Sequence, residues 1–120
     1  MLKLTSSLIA ACLLGACATA STAPNVSVYK YVGSKQCTGG GVTVTALQKQ
    51  LEDADVSIKG EAGCGNDGRM RPQMCGTADG AIVIFDIPGD QVERAATKGF
   101  QPLTQLPGVV KSACRVPSIL

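Results

Sequence analysis

The sequence predicts an α+β domain with a single sheet braced by disulfides. Three observations point to it. Short β-branched and aromatic runs suit strands, two stretches between them repeat apolar residues at helical spacing, and Cys37, Cys64, Cys75 and Cys114 fall between or beyond those segments. A strand, a helix and a second strand imply a right-handed parallel crossover; a hairpin and another helix after it complete a β-α-β-β-α(-β) order. That order is the split βαβ, ferredoxin-like sandwich, with one sheet carrying two helices on one face.

Each element has its own signal. Val26-Ser27-Val28-Tyr29-Lys30-Tyr31-Val32 is rich in β-branched and aromatic residues and reads as the first strand, ended by the glycines of residues 33–41. Val44, Leu47, Leu51 and Ala54 lie on one helical face, and Thr45 with Gln48 fits a capping box. Val56-Ser57-Ile58-Lys59 alternates with period two, a half-buried second strand. Residues 63–80 hold five glycines, one proline and two cysteines, a loop in which Asn66-Asp67-Gly68 marks a turn. Residues 81–87 are nearly all apolar, as a central strand covered on at least one face should be. Asp90 with Glu93 forms another capping box, Val92, Ala95 and Ala96 make the stripe of a short second helix, and Gly99 stops it. Residues 100–110 place Leu103, Leu106, Val109 and Val110 around Pro102 and Pro107, room for a short fourth strand.

The first residues read as an address rather than as structure. Lys3 precedes the uncharged run Leu8-Ile9-Ala10-Ala11-Cys12-Leu13-Leu14. This run is far below the roughly 20 apolar residues of a membrane-spanning helix and has the length of a signal-peptide core. Leu14-Gly15-Ala16-Cys17 resembles the lipobox of bacterial lipoproteins, whose small residues admit the peptidase and whose thiol receives a diacylglycerol. Residues 1–16 are then a lipoprotein signal peptide, Cys17 the lipidated first residue, 17–25 a flexible tether, 26–116 the single domain and 117–120 a tail. A cut at Ala16-Cys17-Ala18 or Ala18-Thr19-Ala20 would instead release a soluble periplasmic protein. Two or more acyl chains on one residue anchor durably, where one chain binds only marginally.

Composition excludes several function classes. Loss of Lys3 with the signal leaves ten basic against nine acidic side chains, with no clustered basic face for nucleic acid. The chain has no histidine, so Ser-His and Cys-His nucleophile pairs are absent. Glu52, Asp53 and Asp55 end a helix, Asp86 ends a strand, and Asp90 and Glu93 are explained by capping. Asp67 alone cannot make a calcium loop, and Gly39-Gly40-Gly41 lacks the Lys and Ser/Thr of a phosphate loop. The expectation is a protein that is not an enzyme, with no catalytic residue, metal, cofactor or small-molecule substrate. Tyr29 and Tyr31 share a strand face and read as core or sheet surface rather than as a sugar platform.

Four cysteines in an exported domain favour two bridges over a zinc site, whose usual close cysteine pair is missing: the nearest two are eleven residues apart. The topology favours Cys37 with Cys75 and Cys64 with Cys114, because Cys37 and Cys75 flank adjacent strands at one end of the sheet. The alternative joins Cys64 to Cys75 and Cys37 to Cys114. Arg69-Met70-Arg71-Pro72 lies on the loop these cysteines brace. Arg and Met are enriched at interface cores, which makes Arg69, Met70 and Arg71 the candidate partner-binding residues, against a plain solvated loop.

Residues 31–37 (Tyr31-Val32-Gly33-Ser34-Lys35-Gln36-Cys37), Cys64-Gly65-Asn66-Asp67-Gly68, Cys75-Gly76, Ile84-Phe85-Asp86-Ile87-Pro88 and Gly99-Phe100-Gln101-Pro102-Leu103, in that order, resemble small uncharacterised envelope lipoproteins of proteobacteria with four cysteines in the mature domain. The resemblance implies a Gram-negative host, and there Ala18 after the lipidated cysteine implies delivery to the outer membrane. It implies no activity. The expected function is a non-enzymatic binding module, of inhibitor or accessory type, with an envelope protein as partner. The second reading is a structural envelope component with no discrete site.

Overall fold

A computed structural model describes residues 23–114 of the 120-residue chain, so the signal segment, Cys17 and the tail 117–120 lie outside the described residues. In chain order the elements are β1 (Asn25–Tyr31), α1 (Val44–Asp53), β2 (Lys59–Asn66), β3 (Ala81–Pro88), α2 (Val92–Ala96), β4 (Gln101–Pro102) and β5 (Ser112–Ala113). They form one five-stranded sheet in the order β4-β1-β3-β2-β5, antiparallel at every pairing.

β3 sits at the centre because both of its faces are covered. Phe85 pairs with Val28 and Ile84 with Tyr29, and alternate residues point to opposite sides. On one side Val28, Val83, Phe85 and Ile87 pack with Leu47 and Leu51 of α1, Ala95 of α2, and Phe100. Both helices therefore share one face. On the other side Tyr29, Ile82 and Ile84 meet Leu106, with Leu103 and Val109 partly buried against them. The chain after β4 thus supplies a second cover that the alternation did not reveal. Lys30 closes the margin of the helical face: its ammonium lies 5.4 Å from the Phe100 ring centroid and donates to Gln50 Oε1 at 2.7 Å.

The second strand lies later than the period-two pattern suggests. Val56 is buried at the end of α1 and donates its N–H to the Leu51 carbonyl at 3.0 Å, while the Ser57 N–H is held by Gln91 Oε1 at 2.6 Å. That segment is spent on closing the helix, and Asp55 at φ +58° makes the left-handed turn out of it. β2 instead runs through Gly60, Gly63 and Gly65, with a register shift between Lys59 and Gly63. Its glycines leave room for the returning chain. A side chain at Gly63 would collide with the stem of Lys111, and one at Gly65 would lie 3.4 Å from the Val110 carbonyl.

Both helix starts also differ from expectation. Thr43, not Thr45, caps α1, its hydroxyl accepting from the Ala46 N–H at 3.1 Å, and Gln48 bonds Glu52 one turn on. α2 begins after a 3-10 turn, Gly89–Gln91, without a side-chain cap; Asp90 lies within that turn. The stop at Gly99 is as expected, with φ +85°. β1 starts at Asn25, and the Pro24 carbonyl already accepts from the Gly89 N–H at 3.0 Å, so the domain begins slightly before residue 26. β4 has only two residues, and β5 was not foreseen.

Two disulfides complete the described residues. Cys37 bonds Cys75 with Cα atoms 5.1 Å apart, and Cys64 bonds Cys114 at 4.8 Å. This is the pairing the topology favours. β3 lies beside β1, which brings Cys75 to Cys37; β5 lies beside β2, which brings Cys114 to Cys64.

Candidate functional site: the braced loop between β2 and β3

Residues 67–80 connect β2 to β3 at the end of the sheet marked by Tyr31, since Asn66 pairs with Ala81 and Tyr31 with Ile82. The loop begins with two side-chain turns. Asn66 Oδ1 accepts from the Gly68 N–H and Asp67 Oδ1 from the Arg69 N–H, each at 3.0 Å. Asp67 is the anchor. Its side chain is fully buried, and Arg71 grips it with two hydrogen bonds of 2.6 Å, from Nη1 to Oδ1 and from Nη2 to Oδ2. The Tyr31 hydroxyl donates to the same carboxylate at 2.9 Å.

The far end of the loop is tied separately. Asp79 accepts from the Ser34 hydroxyl at 2.7 and 2.8 Å and from the Ala81 N–H at 3.0 Å. Gln36 holds the middle. Its backbone bonds Thr77 and Gly76, its amide nitrogen donates to the Pro72 carbonyl at 3.1 Å, and its amide oxygen accepts from the Met74 N–H at 3.0 Å. The Cys37–Cys75 bridge lies beside this hub.

This bracing divides the three candidate residues. Met70 is fully exposed, at 101% of its reference area, and Arg69 is exposed next to it. Arg71 turns inward and serves as the brace, with its side chain 24% exposed. Met74, which sequence reasoning passed over, is a second exposed methionine on the loop. The Asp67–Arg71 spacing of four residues was the one signal in the sequence that could have revealed the clamp. A shallow depression of about 300 Å³ lies beside it, lined by Tyr31, Ser34, Arg69, Arg71, Asp79 and Gly80. Tyr31 forms its wall, edge-on to Tyr29 at 5.7 Å between ring centroids.

The electrostatics follow from these contacts. Arg71 holds the Asp67 carboxyl far below the usual carboxylate range, overcoming the opposing effect of burial. The backbone N–H of Ala81 and the Ser34 hydroxyl lower Asp79. Burial, and then the hydrogen bond to Asp67, raise Tyr31. For the two carboxylates the folded values are depressed, so the stability they supply is present in full above the unfolded value near pH 4 and is lost as pH falls through the folded values. Melting temperature should therefore fall steeply below about pH 4. Asp67→Asn, which cannot ionise, should flatten that acid limb; a decline parallel to wild type would show that Asp67 is not its source.

Among the described residues no cluster of His, Cys, Asp and Glu is suited to hold a metal ion, and no helix is long and apolar enough to cross a membrane. A larger depression, about 460 Å³, lies at the opposite end of the sheet, between the start of β1 and Leu103, Leu106, Pro107 and Val109. Compared with protein-family models, curated proteins and solved structures, the chain finds no match.

Proposed function

We propose that this chain is a lipid-anchored envelope protein whose braced loop binds a protein partner through Arg69 and Met70. One observation carries the reading: a fully exposed methionine beside an exposed arginine, on a loop held at both ends and in the middle. A loop backbone already held in place loses little freedom on binding, which is how preorganisation raises affinity. Arg71 contributes by positioning the loop rather than by contact.

The geometry suits an anchored protein. The chain enters β1 at Asn25, while the loop adjoins Tyr31 at the other end of the same strand. Six residues of extended chain separate the two, about 20 Å. A lipid on Cys17 would join the domain at the end of β1 opposite the loop. Charge is divided along that axis. The exposed charged residues of the loop end, Lys35 and Arg69, are basic, whereas Glu52, Asp53, Asp55, Asp90 and Glu93 are exposed at the entry end with Lys59 and Arg94. The partner that fits the loop is a protein surface with an apolar recess and an acidic rim. The strand order β4-β1-β3-β2, with both helices on one face, supports reading the domain as a ferredoxin-like split βαβ sandwich extended by β5.

One experiment has two arms. Mass spectrometry of the mature N-terminus should find acylated Cys17, lost in Cys17→Ser; an unmodified Ser21 start would refute the anchor. In envelope extracts, capture of a defined partner should fall at least tenfold with Arg69→Ala/Met70→Ala and stay unchanged with Lys49→Ala on the exposed side of α1. Equal capture by the loop variant would refute the loop.

A further inference from the structure

We infer that Cys37–Cys75 is a thiol-exchange site, opened by a dithiol reductant while Cys64–Cys114 stays closed, and that its opening loosens the loop carrying Arg69 and Met70. The exchange chemistry stands by itself; its effect on binding rests on the reading of that loop as the binding element.

The two bridges differ in access. Cys37 and Cys75 are both exposed, on loops. Cys64 and Cys114 are half-buried, Cys64 packs against the helical core, and their bridge joins two paired strands. An incoming thiolate must approach along the disulfide axis, so exposure governs which bridge reacts. Loop entropy does not separate them, because it varies only with the logarithm of separations of 38 and 50 residues. Cys37 also holds φ at +69°, a conformation that side-chain-bearing residues adopt at a cost. The bridge is one of the constraints that keep it there. Buried, unstrained structural disulfides resist reduction, and exposed, constrained ones are the labile class.

The reaction balances with the dithiol as sole co-reactant. One of its thiolates attacks a sulfur of the bridge, the Cys37–Cys75 bond breaks, and the other cysteine leaves as a thiolate. The second thiol of the reductant then attacks the mixed disulfide and closes its own ring, releasing the second cysteine. Two electrons pass to the cysteine pair, and the two protons of the dithiol end on the cysteine sulfurs.

The consequence for the loop is local. Its ends stay clamped by Asp67–Arg71 and by Ser34 and Ala81 on Asp79. Its middle keeps its hydrogen bonds to Gln36 and within the turn, among them those donated by the N–H groups of Met74, Gly76 and Thr77. Those three amides are the ones whose protection should fall.

The test uses the full-length oxidised chain. Graded dithiothreitol is followed by alkylation and peptide mass mapping, with hydrogen exchange measured at each step. Cys37 and Cys75 should reach half-modification at a dithiothreitol concentration at least tenfold below that for Cys64 and Cys114. At that concentration the amides of Met74, Gly76 and Thr77 should exchange at least tenfold faster, while those of Val83, Ile84 and Phe85 keep their rates. Joint opening of the bridges, opening in the reverse order, or unchanged exchange at the three amides would each overturn the inference. Neither readout needs a partner, and partner capture by the oxidised chain needs no reductant, so the two readings fail separately.

Discussion

Phe85→Ala is expected to cost about 3–5 kcal/mol of folding stability. Phe85 has no exposed surface, lies on the central strand, and meets Phe100 edge-on at 5.9 Å between ring centroids. Its removal withdraws apolar area from the core and leaves a cavity that Leu47 and Leu51 of α1 and Ala95 of α2, held in place by their helices, cannot collapse to fill. A domain of this size has a total stability of about 5–14 kcal/mol, so the variant should be only marginally folded. Urea denaturation measures it directly. Phe85→Leu, which keeps most of the volume, should lose less than half as much. A loss below about 1 kcal/mol for the alanine variant would show that this face is not the main core.

Removing the other bridge should be nearly as severe. Cys64→Ser/Cys114→Ser releases a loop of 50 residues, worth about 4 kcal/mol in chain entropy. Additional losses are expected, because β5 has two residues and is otherwise held by its pairing with β2, the Ser112 hydroxyl on the Cys64 carbonyl at 2.9 Å, and Lys111 on Asp86 at 3.0 Å. An exposed ion pair and two strand residues cannot keep that segment in place alone. The expected result is a melting temperature lower by roughly 15–30 °C, with the amides of β2 losing protection before those of β3. A fall of less than about 5 °C would mean that the substituted chain keeps β5 docked without the bridge.

Which parts of this were readable in the sequence depended on whether a residue's use was local. β3 was legible because a strand covered on both faces must be apolar at nearly every position, as residues 81–87 are. α1 was legible from the spacing of Leu47 and Leu51, both fully buried. β2 was not, because glycines and a cysteine replace the usual β-branched residues where the chain after β4 crosses it, and that crossing is fixed some fifty residues later. Thr43 and Thr45 are equivalent caps on paper; only the direction in which the chain arrives distinguishes them. The same holds for the site. Exposed Arg69 and Met70 follow from loop composition, whereas the inward turn of Arg71 depends on Tyr31 and a buried Asp67 brought from β1 and the end of β2.

The sheet has a further consequence for the order in which the molecule can be assembled. Its edge strand β5 is the last element of the described chain, and it covers one side of β2, which is synthesised far earlier. In N-to-C synthesis Cys75 emerges before Cys114, so the loop bridge can close while Cys64 is still an unpaired thiol and β2 still an open edge. An open edge is a template for unwanted pairing. Here that edge carries Lys59 and Glu61, charged residues of the kind that discourage such pairing during the wait. The two charges at the start of β2 would thus guard the unfinished sheet until the last strand arrives to cover it.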